Sequence, residues 1–212
     1  MHLDLNLLER WLTGWSLARG VALPRAGGGG LVVEVGWPGQ VRRHVFVEAG
    51  PALRACAARI REPLVYLKAA VGPDELRRAL PAAWQIEEAR YLMYCPGPMA
   101  APAGELPAGY AVQLGVEHGA SVLCLVDAAG QTAATGRVVV HRGTAVFDRI
   151  ETMEGYRRRG LGSAVMHALD QLARQAGATE RLLVATEQGR ALYQRLGWRV
   201  VAPYSTAVLA AL

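Results

Sequence analysis

The chain has 212 residues, enough for one large domain or two small ones, and 52% of them are hydrophobic. That fraction and a mean hydropathy of +0.16 exclude a disordered tail and supply a sizeable core. A net charge of +5, carried mainly by arginine, suits an acidic ligand; without a lysine cluster interleaved with aromatics, no nucleic-acid partner is expected. Cys56, Cys95 and Cys124 are odd in number and widely spaced, which argues against a disulfide framework and a metal knuckle, so no metal site is expected. No apolar run reaches membrane-spanning length, and the first residues lack the basic start and apolar core of a signal peptide. The expectation is a cytoplasmic chain with no membrane partner.

In chain order, Asp4 caps a predicted helix to about Ala18, with Leu8, Trp11, Leu12 and Trp15 on its apolar stripe. Two tryptophans on one stripe mark either a ligand pocket or, as is the commoner case and the expectation here, an anchor of the helix on a core or on a partner chain, which admits a homodimer. Ala26 to Gly30 reads as a flexible connector. Leu31–Val35 and Val41–Glu48 read as strands joined by hairpin chemistry at Pro38-Gly39. Pro51 starts a helix, Leu64–Val71 is a strand, Pro73–Leu80 a short helix and Trp84–Tyr94 a strand. His44 is expected at the surface, and Lys68 is expected to snorkel its ammonium out of an apolar strand. Cys95 to Gly109, rich in Pro, Gly and Ala, reads as a linker between an N-terminal α/β subdomain (1–98) and a C-terminal domain (99–212).

Four strands follow, Tyr110–Glu117, Ala120–Asp127, Thr132–His141 and Thr144–Thr152, with links short enough for an antiparallel meander. A helix from Gly160 to Gly177, a strand Arg181–Ala185, a helix Gln188–Leu196 and two strands, Trp198–Ala202 and Ser205–Leu209, complete the chain. Asp170 and Glu180 are expected on the solvated surface, and His167 is expected to be structural. Internal repetition is weak: Val41–Glu62 and Val146–Arg174 share only a strand-helix likeness, compatible with a degenerate half-repeat.

The stretch Arg157-Arg-Arg-Gly-Leu-Gly-Ser163 places cations at the partially positive end of a helix. That arrangement is sensible if an anion sits there on free backbone N–H groups, with arginine adding charge. Gly160 and Gly162 let the backbone approach it. The stretch reads as a phosphate or pyrophosphate cradle, set against the plainer reading of a solvated basic loop. It lacks Gly-Lys-Ser/Thr, and Val165 stands where a dinucleotide fingerprint needs Gly or Ala.

Arg157-x-x-Gly160-x-Gly162, followed by Ala191-Leu-Tyr193-Gln-Arg-Leu-Gly197-Trp198, resembles the GNAT superfamily of N-acetyltransferases over about Tyr110 to Leu209. The resemblance implies an α/β (α+β) fold: a mixed, mostly antiparallel, twisted sheet flanked by helices, here preceded by the N-terminal subdomain. It implies acetyl-CoA as co-substrate, held by Ile150, Thr152, Arg157, Arg158, Arg159, Gly160, Leu161, Gly162 and Ser163. It also implies direct attack by an amine, from a small molecule or a protein, with the oxyanion met by backbone N–H of Phe147–Thr152. Tyr193 is the candidate general acid, since a phenol of ordinary pKa about 10 keeps its proton at neutral pH; the plainer alternative is a packing tyrosine. Asp148 and Glu151 are the candidate bases, at opposite parity on one strand, with His141 as a third. Thr186 stands where the family often has asparagine. A non-catalytic acyl-CoA-binding module is the competing reading.

Overall fold

The computed structural model describes residues 3–99 and 106–209. The first half runs α1 (Leu5–Leu17), β1 (Arg25–Gly27), β2 (Gly30–Trp37), β3 (Gln40–Phe46), α2 (Pro51–Arg59), β4 (Val65–Ala69), α3 (Pro73–Ala79), β5 (Trp84–Ile86) and β6 (Arg90–Cys95). The second runs β7 (Tyr110–Glu117), β8 (Ala120–Asp127), β9 (Thr132–His141), β10 (Thr144–Thr152), a 3-10 turn (Glu154–Tyr156), α4 (Leu161–Gln175), β11 (Glu180–Thr186), α5 (Glu187–Arg195) and β12 (Arg199–Leu209).

Local chemistry explains most of these boundaries. The Asp4 carboxylate accepts from the Leu7 N–H at 2.7 Å and caps α1. Pro51 and Pro73 occupy the first turns of α2 and α3, where no N–H is needed. The four meander strands fall at the expected bounds, joined by the expected short links.

Three elements differ from expectation. Ala26–Gly30 is a tight β1–β2 hairpin, its turn made by Gly28 and Gly29 at φ 62° and 82°. The predicted strand Trp84–Tyr94 is broken into β5 and β6, which both pair with β12. The two predicted C-terminal strands are one strand, β12, with an irregularity between Val200 and Ala202. Pro203 fits inside it because β4 pairs only with Ser205–Val208, so no β4 partner is lost there. Of the predicted linker, 100–105 lies outside the described residues.

The described strands form one mixed, mostly antiparallel sheet in the order β1-β2-β3-β4-β12-β6-β11-β10-β9-β8-β7. The parallel pairs are β3–β4, linked through α2, and β10–β11, linked through α4. These are the two stretches with the weak likeness in sequence. Around the centre the halves exchange strands: β6 lies against β11, β12 lies against β4, and β6 and β12 pair with each other. The segments on either side of the linker therefore share one sheet.

Helix α4 covers β8, β9 and β10 in one core with Met93, Phe147, Leu183 and Trp198. A second core packs α2 and α3, through Leu53 and Leu76, on Phe46, Leu67 and Trp84. Helix α1 joins the halves in a third, where Leu8, Trp11 and Leu12 meet Leu31, Val33, Val146 and Tyr204. Gly14 lets α1 lie directly on β10, because a Cβ there would fall 2.3 Å from Val146 Cγ2.

Asp170 is buried rather than solvated, and Glu180 is half-buried and paired. Asp170 on α4 is 3% exposed and pairs with the buried Arg181 on β11. Glu180 accepts from Arg10 Nε at 2.8 Å and from the Thr144 hydroxyl at 2.6 Å. Leu161, Val165 and Leu169 of α4 face the core as expected of a helix here, but Asp170 is buried beside them because Arg181 on β11 is buried too, and a buried guanidinium needs a carboxylate. Asp170→Ala would leave Arg181 buried without its counter-charge. Urea unfolding is expected to show a loss of about 3–5 kcal/mol; a loss below about 1 kcal/mol, the range of an exposed pair, would contradict the assignment.

Candidate functional site

The site begins where β10 and β11 part. They pair only over Thr144–Val146 and Glu180–Leu182. Beyond that β11 follows β6 to Thr186, whereas β10 follows β9 to Thr152. An irregularity between Asp148 and Glu151, with Arg149 at φ 51°, turns β10 further away. Past Val146 the backbone of β10 has no strand on its β11 side. A cavity of about 1340 Å³ occupies this gap and extends towards both halves of the chain.

One end of the cavity is the start of α4. Arg157, Arg158, Gly160, Leu161, Gly162 and Ser163 line it, together with Ile150, Glu151 and Thr152 of β10. Gly160 caps α4 at φ 80° without a side-chain cap, and the first bond back into the helix is from Ala164 N–H to Gly160 O. The N–H groups of Leu161, Gly162 and Ser163 therefore precede the helical ladder and are available to an anion. Gly162 has a packing role too, since a Cβ there would come within 3.1 Å of Leu192 on α5. Arg159 departs from expectation and is not among the lining residues. Its guanidinium donates to the Tyr110 hydroxyl at 3.1 Å and to Gly155 O at 2.9 Å. The Thr186 hydroxyl is occupied as the cap of α5, accepting from Gly189 N–H at 3.0 Å.

Tyr193 lines the wall of the gap. It is 6% exposed and packs beside Trp198, with ring centroids 6.1 Å apart. Gly189 makes room for it, since a Cβ there would lie 3.1 Å from Tyr193 Cε2. Burial, reinforced by the nearby Asp148 charge, pushes the phenol well above its ordinary pKa, so it holds its proton throughout the neutral range.

The two candidate bases have different surroundings. Asp148 is clamped: Arg19 donates to both its oxygens, at 2.7 and 2.9 Å, and Arg137 Nε donates at 3.1 Å. Glu151 is exposed and lines the cavity. His141 lies elsewhere, beside Asn6 and Glu9 in a small separate pocket.

The other end of the cavity was not read from the sequence. It is lined by Trp11, Trp15 and Arg19 from α1, Gln40 and Arg43 from β3, Tyr66 and Lys68 from β4, and Tyr204 from β12. Arg43 lies flat on Trp15, its Cζ 3.4 Å from the ring centroid, and donates to Gln40 Oε1 at 2.7 Å. Lys68 does not snorkel to the surface: its ammonium lines the cavity and donates to the Thr206 hydroxyl at 2.9 Å. His44, expected at the surface, is half-buried, and burial together with Arg42 lowers its pKa. A signal was present in the sequence, for Lys68 interrupts the apolar run Val65 to Val71, where a solvated strand face would alternate.

Comparisons with known proteins agree with this geometry. The model of the acetyltransferase (GNAT) family matches residues 74–198. An uncharacterized protein of Bacillus subtilis (strain 168), YyaT, is 32% identical over 76 residues, which cover 36% of this chain and 51% of YyaT. The chain thus matches about half the length of this curated relative. Among solved structures, a GCN5-related N-acetyltransferase from Kribbella flavida superposes with a TM-score of 0.67 at 16% identity, covering 100% of this chain and 97% of the other. A GNAT-family acetyltransferase structure from Novosphingobium aromaticivorans DSM 12444 gives 0.60 at 16% identity, covering 96% and 99%. Those likenesses speak for the fold, and the family match spans more than half of the residues, including the meander, the α4 cradle and α5. The chain belongs to the GNAT acetyltransferase family.

Proposed function

We propose that the protein moves an acetyl group from acetyl-CoA to an amine by direct transfer. One observation carries this reading. A single cavity joins the uncapped start of α4 to the gap between β10 and β11, and Tyr193 stands on its wall. Acetyl-CoA, when bound, supplies the acyl group already activated as a thioester.

The residues present fit that donor. Arg157, Arg158 and the first N–H groups of α4 hold the pyrophosphate. The backbone of β10 beyond Val146 offers unpaired groups to the pantetheine arm and to the negative charge developing on the carbonyl oxygen. Tyr193 gives its proton to the sulfur as the C–N bond forms and the C–S bond breaks. Glu151 accepts, through water, the proton that the amine loses. Asp148, held by two arginines, fixes the end of α1 against β10 and lends its charge to keep Tyr193 protonated. No cysteine is placed to carry the acyl group, since none of the described cysteines, Cys56, Cys95 and Cys124, lines the cavity.

Release of CoA over a panel of amines, compared between wild type and Tyr193→Phe, tests this reading. The variant should lose about 10²–10⁴-fold in kcat and retain its affinity for acetyl-CoA. Unchanged kcat would remove Tyr193 from the reaction. A wild-type protein that binds acetyl-CoA and transfers to no amine would be a binding module instead.

A further inference from the structure

The end of the cavity away from α4 is built from hydrogen-bond donors that lack acceptors. Arg43 is 5% exposed, Gln40 7% and Tyr204 2%. Arg43 Nε, Gln40 Nε2 and the Tyr204 hydroxyl are buried and have no hydrogen-bond partner among the described residues. All three side chains line the cavity. Lys68 joins them from the neighbouring strand. In the parallel β3–β4 pair, Arg43 stands opposite Tyr66 and Val45 opposite Lys68, so Arg43 and Lys68 share one face.

Two cations are thus placed together, and neither has a carboxylate as hydrogen-bond partner; Arg43 is bonded to Gln40 and Lys68 to Thr206. Burial and the neighbouring arginine drive Lys68 well below the ordinary lysine range. Burial, helped by the nearby charge of Arg19, pulls Arg43 down to about 10. The acids that line the same cavity offset this charge only from a distance: Glu87 acts on Lys68 and Asp148 on Arg43, but Asp148 is bonded to Arg19 and Arg137, Glu87 and Glu151 are exposed, and burial outweighs them at both cations. Buried cations and orphaned donors are costly unless something completes them. What completes them is an acceptor of hydrogen bonds with negative charge.

We propose that the acceptor is a small amine that also carries a carboxylate, and that Arg43, Lys68, Gln40 and Tyr204 receive this carboxylate. The inference rests on the acetyl-transfer reading and names the substrate class of the same site. The skeleton is compact because a short chain of contacts links the anion end to β10. Asp148 holds Arg19 at 2.7 Å, Arg19 lies 4.8 Å from the Trp15 ring centroid, and Arg43 lies 3.4 Å from that centroid. A planar guanidinium matches a planar carboxylate.

The test uses matched series of free amino acids, their primary amides, their decarboxylated amines and the corresponding aminophosphonates. With acetyl-CoA saturating, the carboxylates should exceed amides and decarboxylated amines by at least about a hundredfold in kcat/KM. Arg43→Met and Lys68→Met should each raise KM for the carboxylate by about 30-fold or more and erase the preference, while calorimetry shows acetyl-CoA affinity retained. The carboxylates, and not the amides, should also raise the Tm of the CoA-bound wild type, a readout that needs no turnover. Equal use of amides, failure of every carboxylate to shift Tm, or indifference to both substitutions would overturn the proposal. A preference for the phosphonates would overturn the carboxylate in favour of a dianion. Loss of acetyl-CoA binding in the wild type would instead sink the acetyl-transfer reading, a result visible in the same calorimetry.

Discussion

Strand β11 keeps one of its two partners along its whole length and loses the other. It stays paired with β6 from Arg181 to Thr186 but with β10 only as far as Leu182, because the irregularity in β10 carries that strand away along β9. The cost is a row of backbone groups without a ladder partner in the middle of a large sheet. Everything that defines the site is arranged around that opening: the start of α4 at one mouth, Tyr193 on the wall, and the end of α1 over the other side. A tyrosine kept neutral by burial and a clamped carboxylate meet there because the sheet is interrupted, not in spite of it.

Exchange of strands between the halves makes the opening usable. β6 extends the C-terminal side of the sheet and β12 extends the N-terminal side, and the two pair along the seam. The far end of the cavity therefore draws on β3, β4 and β12, elements distant from the donor cradle in sequence. Helix α1 closes this chamber. Gly14 seats it on Val146, and the Arg19–Asp148 pair ties its end to the central strand. The N-terminal half supplies walls and charge to the cavity through Trp11, Trp15, Arg43 and Lys68.

How much of this was legible follows from how each part is made. The candidate cradle is local: Arg157 to Ser163 are consecutive and a helix start orders them, so the sequence could put them forward together, by spacing and by the resemblance of the Arg157-x-x-Gly160-x-Gly162 pattern. Even so, Arg159 looked equivalent to its neighbours and is turned away, because Tyr110 on a distant strand offers it a partner. The meander was readable from alternation and short links. The seam was not, because Pro203 looked like a strand end until β4 was seen to pair only beyond it. Lys68 and Asp170 were misread for one reason. Exposure of a charged residue is the usual outcome, and only the positions of Arg43 and Arg181 reveal the exceptions. The chamber residues run from Trp11 to Tyr204, and no local pattern could unite them.

The central claim is that the start of α4 holds the anionic end of acetyl-CoA. Isothermal titration of the purified protein with acetyl-CoA, with NAD as control, tests it most directly when repeated on the Arg157→Ala/Gly160→Val double variant. The account predicts micromolar binding of acetyl-CoA by the wild type, no binding of NAD, and loss of binding in the double variant while circular dichroism shows it folded. A folded wild type that takes up no acetyl-CoA, or a double variant that binds it equally well, would contradict the account.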